Sequence, residues 1–113
     1  MSLLYVIKCN EFIKIGISRH PKERLKALQT SSPYKLKIIK TYKVKQARIF
    51  ELVIHTLLKP HHVRLEWFNC SPYMADKWIN RLNEFHTDDI KSLKKIMHKR
   101  DLIIEKCKSF EIR

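Results

Sequence analysis

The sequence predicts a small α/β (α+β) domain, with a mainly antiparallel three-stranded sheet flanked by helices and a basic helix at the C-terminal end. Three observations carry this. Leu3 to Ser18 reads as two apolar strands with a very short connection. Residues 46–58 carry an apolar stripe at helical spacing. Pro21 and Pro72 stand where helices begin, since a first-turn proline gives up an N–H that has no partner in a helix.

The first strand, Leu3 to Lys8, is apolar on both alternating sets, Leu3/Tyr5/Ile7 and Leu4/Val6, as a strand covered on both faces should be. Cys9-Asn10-Glu11 is a turn, and asparagine tolerates turn backbone. Phe12 to Ser18 returns with Ile13, Ile15 and Ile17 on one face, and Gly16 marks either a close backbone approach or a bulge. The helix opened by Pro21 runs to about Gln29, with Leu25 and Leu28 inward, and Thr30-Ser31-Ser32-Pro33 ends it. Leu36 to Val44 is a third strand with lysine on alternate positions. Gln46 to Leu58 is a helix whose stripe is Ala47, Phe50, Ile54, Leu57 and Leu58, and Pro60 stops it. His61 to Asn69 reads as loop or short strand. A helix from Pro72 turns Ala75, Trp78, Ile79 and Leu82 inward, and His86-Thr87 is a break. Thr87 reads as the cap of a last helix reaching Lys108, with Asp88 and Asp89 favourably placed at its positive end. Its narrow stripe is Ile90, Leu93, Met97 and Ile104. The expected organisation is a core domain over residues 1–85 and a basic helical extension over 86–113, packed on that core.

Lys and Arg number 24 against 11 Asp and Glu, a formal net charge of +13. This excess points to a polyanionic partner, nucleic acid ahead of an anionic membrane surface. No apolar run approaches membrane-spanning length, and Lys8, Glu11 and Lys14 interrupt any leader after Met1, so the chain reads as soluble and intracellular. Cys9, Cys70 and Cys107 are too few and too scattered for a disulfide framework, and His61, His62 and Cys70 match no zinc spacing.

The triplets Leu3-Leu4-Tyr5 and Lys14-Ile15-Gly16, the helix Pro21-Lys22-Glu23-Arg24-Leu25, the helix Ala47 to His55 and the later Glu66-Trp67-Phe68 occur in one order. In that order they resemble the GIY-YIG nuclease superfamily, closest to its phage- and virus-associated branch. The resemblance covers Leu3 to Asn69. It implies that Tyr5 orients or deprotonates the attacking water, that Arg24 binds the scissile phosphate, and that Glu51 holds a metal, Mg²⁺ or Mn²⁺. Lys14 stands where the family name has its second tyrosine, and there a lysine offers phosphate a point charge. Arg24 lies about 40° around its helix from Leu28, at the edge of the buried face. His55, one turn after Glu51, is a candidate for supporting the metal's ligands by a hydrogen bond or for donating a proton. Trp67 and Phe68 read as core, and Glu66 as a residue that can line the cleft. Lys22 and Lys26 beside Arg24, with Lys94 and Lys95 on the last helix, are candidates for contact with a nucleic-acid backbone.

The leading reading is therefore a metal-dependent endonuclease acting on nucleic acid, DNA ahead of RNA. The alternative is a non-catalytic nucleic-acid-binding module on the same scaffold. A third is a dimer formed through residues 88–108, although Arg100 interrupts the seam such a coiled coil wants. Under either of the first two, affinity for duplex DNA should fall with salt at a log–log slope of about −0.9 per phosphate neutralised. A salt titration by fluorescence anisotropy measures it; a flat line would exclude both.

Overall fold

The computed structural model describes the backbone of residues 1–111 and the side chains of residues 1–108; the last positions of the expected C-terminal extension, 112 and 113, lie outside the described residues. Strand β1 (Leu3–Cys9) and strand β2 (Phe12–Ser18) form the expected antiparallel hairpin. Their register runs without interruption from Leu3↔Ser18 to Cys9↔Phe12. Asn10 makes the turn with φ 55°, a left-handed conformation that asparagine tolerates better than most residues. Helix α1 spans Pro21–Thr30, and strand β3 (Lys37–Lys43) then pairs antiparallel with the other side of β1.

The sheet has five strands, not three, in the order β3-β1-β2-β5-β4. The added pair is β4 (His62–Arg64) and β5 (Trp67–Phe68), joined through Leu65 at φ 51°. β5 pairs with β2 through Ile13↔Phe68 and Lys14↔Trp67. The expectation of three strands fails because these two are too short to show a period. All of β4 is exposed, so it has no buried alternation to reveal it. Long-range pairing with β2 makes β5 a strand, and local sequence does not encode that.

Helix α2 (Ala47–Leu57) buries Phe50, Val53, Ile54 and Leu57. Helix α3 (Pro72–Leu82) is capped by Ser71, whose hydroxyl accepts the Met74 N–H at 3.1 Å, and it buries Ala75, Ile79 and Leu82. The single last helix expected over residues 88–108 is instead α4 (Thr87–Leu93), a 3₁₀ turn (Lys94–Ile96) and α5 (Arg100–Glu111). His86, not Thr87, stands at the N-cap position of α4, and its side chain makes no capping hydrogen bond. Packing explains the break. Ile90, Leu93, Ile103 and Cys107 all enter the main core. In one continuous helix Ile90 and Ile103 would point roughly 140° apart at 100° per residue, so one helix could not turn both toward the same core.

The helices cover the sheet unequally. α1 lies on one face, where Leu25 and Leu28 pack against Tyr5, Ile7 and Leu36. The other four helices cover the opposite face, over Leu4, Val6, Ile13 and Ile15. Among the described residues no helix is long and apolar enough to cross a membrane.

The rephased tail makes a direct prediction. Ile103→Ala should destabilise the fold by about 2–5 kcal/mol, the range for deleting a fully buried aliphatic side chain. Ile104→Ala, at a half-buried position one residue on, should cost clearly less. Urea unfolding of both variants decides it; equal losses would argue for one continuous helix.

Candidate active site

The hairpin register sets Tyr5 directly opposite Gly16. Both face the α1 side of the sheet, where Tyr5 is only 1% exposed. A Cβ on Gly16 would collide with the Tyr5 hydroxyl and stand 2.7 Å from Cζ. Gly16 therefore leaves room for the phenol to lie across β2. It is not a bulge, because the register passes through it unbroken, and its φ is not positive. The Tyr5 oxygen accepts a hydrogen bond from the Arg24 side chain on α1. Burial raises the Tyr5 pKa above its ordinary value, although the Arg24 bond opposes the shift. Tyr5 thus keeps its proton at neutral pH, and with its oxygen engaged by Arg24 the O–H is available as a donor.

A second group of side chains reaches this face around the outer edge of β2. β5 covers only the part of that edge at Ile13 and Lys14. Beyond it, the Ile15 N–H donates to the Glu66 carbonyl at 3.1 Å. His55 Nε2 lies 2.8 Å from the Ile15 carbonyl oxygen. The Ile17 N–H donates to the Glu51 carboxylate. Helix α2 therefore serves as a substitute strand, with Glu51 and His55, one helical turn apart, supplying the missing partners. A carbonyl can only accept, so His55 Nε2 carries its proton, and in the neutral ring Nδ1 is left with a lone pair. Burial lowers the His55 pKa, which favours that neutral ring.

Glu51, His55 and Glu66 each offer a ligand atom within 4.8 Å of the other two, and all three are half-buried. Burial, and then the nearby Glu66 charge, push the Glu51 carboxyl up to about 7. Glu66 is held by Lys14, whose Nζ donates to Oε1 at 2.9 Å and lies 5.6 Å from the centre of the Trp67 ring. Lys14 is 6% exposed, so it serves the carboxylate cluster rather than standing out toward solvent.

Of the residues singled out in the sequence, Tyr5, Lys14, Arg24, Glu51 and His55 converge here. Glu66 joins them, although sequence reasoning allowed it only to line the cleft. The available signal was the Glu-Trp-Phe triplet: Trp67 paired with Lys14 carries Glu66 to the carboxylate side of β2. The lysines divide. Lys22 and Lys26 are exposed on α1 beside Arg24. Lys94 and Lys95 are exposed on the 3₁₀ turn of the opposite layer, so they do not share Arg24's side of the sheet.

A family model described as the T5orf172 domain matches residues 2–83. That span includes every member of the converging cluster and excludes Lys94 and Lys95. No curated protein and no solved structure matches the chain.

Two predictions come from this geometry. Gly16→Ala should keep the hairpin but displace the Tyr5 ring, at a cost of about 1–3 kcal/mol for an overpacked core; Tyr5→Phe in the same background should recover part of the loss, since the worst clash is with the hydroxyl. Glu51 gives a pH signature. Folded Glu51 holds its proton up to about pH 7, against 4.5 as the ordinary value. The folded state binds more protons between those limits, so the contribution to stability is full below the lower limit and is lost as pH rises through the upper one. Glu51→Gln removes that loss. Urea unfolding should find the variant gaining on the parent as pH rises from about 4.5 to about 7; parallel curves would show an unshifted carboxyl.

Proposed function

The chain belongs to the T5orf172 domain family, and on that premise we propose that it is a metal-dependent endonuclease of the GIY-YIG type, hydrolysing phosphodiester bonds in DNA. The family is compatible with a nuclease-like or nucleic-acid-binding module. One observation carries the step to catalysis: the carboxylates of Glu51 and Glu66 and the imidazole of His55 meet within 4.8 Å, beside the Tyr5–Arg24 pair.

The donor set suits a small divalent cation. Two carboxylate groups match Mg²⁺, which takes few protein ligands and keeps its waters, and the imidazole widens the fit to Mn²⁺. Glu51 and Glu66 would hold the ion, and His55, whose Nδ1 keeps a lone pair, would be available as a further ligand. Bound there, such an ion would supply Lewis-acid polarisation of a phosphate oxygen and a lower pKa for a bound water. The chain's own groups do the rest. Arg24 is exposed on α1, where its planar guanidinium can grip a phosphate with two bonds and oppose the charge that grows on it. Tyr5, protonated and anchored by Arg24, orients the water or a phosphate oxygen as a donor. Lys14 offsets the repulsion between the Glu66 and Glu51 carboxylates.

The Lys14–Glu66 ion pair also favours a second reading, a module that binds nucleic acid without cutting it, because it engages one carboxylate that a metal would need.

Incubation with plasmid, single-stranded and branched DNA, in Mg²⁺ or Mn²⁺ against EDTA, tests the proposal. Cleavage should require the metal. Glu51→Gln should abolish it while the fold persists, and Arg24→Ala should lower the rate by about 10²–10³, the usual loss for one transition-state donor. Arg24→Lys should not restore it, since an ammonium lacks the fork. Binding without cleavage by the parent would leave the non-catalytic module, and full activity in Glu51→Gln would remove Glu51 as the metal ligand.

A further inference from the structure

Away from the carboxylate cluster, a groove of about 830 Å³ runs between α3 and α5, with Leu57 of the C-terminal turn of α2 also lining it. One helical stripe of α3 forms a wall, presenting Tyr73, Lys77, Trp78 and Arg81, and Arg100 and Lys108 of α5 face it. Among the described residues no acidic side chain lines the groove. Tyr73 is 76% exposed, high for a tyrosine. Arg100 is fixed in place, its Nε and Nη2 donating to the Leu57 carbonyl at 3.1 and 3.0 Å.

We propose that this groove is a binding site for a single-stranded segment of nucleic acid, with a base stacked on Tyr73 and the phosphates following Lys77, Arg100 and Lys108. It rests on the nucleic-acid part of the function proposed above and not on cleavage. An exposed aromatic ring beside a cationic track is how proteins hold unpaired strands, because every base has a stacking face and the backbone supplies the charge. A duplex hides those faces, and the groove falls in the size range that encloses a small-molecule-sized group, which suits one or two nucleotides. An acidic peptide would use the cations but give the exposed ring nothing to stack on. The position is separate from the carboxylate cluster. Leu57 in the groove's lining is about 200° around α2 from His55, so the two sites use different faces of the same helix. A substrate with a duplex in the cleft and a frayed or branching strand in the groove would engage both.

The test is equilibrium binding of a fluorescent oligothymidylate to the full chain in EDTA, followed by anisotropy, with a hairpin duplex as the comparison. Tyr73→Ala should weaken single-strand binding by at least about fivefold, as loss of one stacked base does. Tyr73→Phe, which keeps the ring, should stay within about twofold of the parent. Duplex affinity should be the same in all three. Lys77→Ala with Lys108→Ala should make the single-strand salt slope shallower by about 1.4, two phosphates at about 0.7 each. Tyr73 and Lys77 are exposed, so these variants should fold, and an unchanged circular dichroism melt checks it. Unchanged single-strand affinity in Tyr73→Ala overturns the proposal, as does a parent that binds the duplex but not the single strand. If the parent binds the single strand through Tyr73 yet cuts nothing with metal present, the groove stands and the nuclease reading falls. If it cuts and Tyr73 is immaterial, the reverse holds.

Discussion

A strand buried beside its neighbours must have its backbone groups paired, and the outer edge of β2 is only partly met by another strand. β5 is two residues long and covers Ile13 and Lys14. The edge beyond it continues into a place where an orphaned N–H or C=O would cost about as much as a lost hydrogen bond. The Glu66 carbonyl, the His55 ring and the Glu51 carboxylate take those positions. Satisfying the edge therefore brings two polar side chains of α2 and the loop before β5 to one point. The cluster follows from how the sheet ends, and its members are held by backbone groups that cannot move without disturbing the core.

That placement has an electrostatic cost. Two carboxylates and an imidazole share a half-buried space, and Glu51 responds by holding its proton to near neutrality. Lys14 and Arg24 offset part of this from the α1 side, Lys14 through a direct bond to Glu66 and Arg24 through Tyr5. Such an arrangement is poor for stability alone, since buried charges pair at best near break-even. Shifted groups gathered in one place are characteristic of working sites.

The two layers divide the other work. The α1 layer is thin; Pro21 is the only residue buried within α1 itself, and this layer carries Arg24 out into solvent beside Lys22 and Lys26. The opposite layer holds most of the core, and its tail is broken so that Ile103 and Cys107 can join Ile90 and Leu93 there. The break carries Arg100 to the end of α2, where it caps the Leu57 carbonyl and shapes the basic groove.

Elements with a period were legible from the chain. The β1–β2 hairpin, α1, α2 and α3 each carry enough alternation or stripe to declare themselves, while the register that sets Tyr5 against Gly16 is seen only in the folded sheet. The motif order also brought Tyr5, Lys14, Arg24, Glu51 and His55 forward together. What the sequence could not hold was anything fixed by contact between distant segments. β4 and β5 are strands only because β2 needs an edge partner; Lys14 turns inward only because Glu66 arrives to receive it; and the last helix divides because the core demands side chains that one helix would point in different directions. Local pattern records which face of an element is apolar. Which neighbour meets that face, and which polar group is left to complete the backbone hydrogen bonds, is decided when the segments pack.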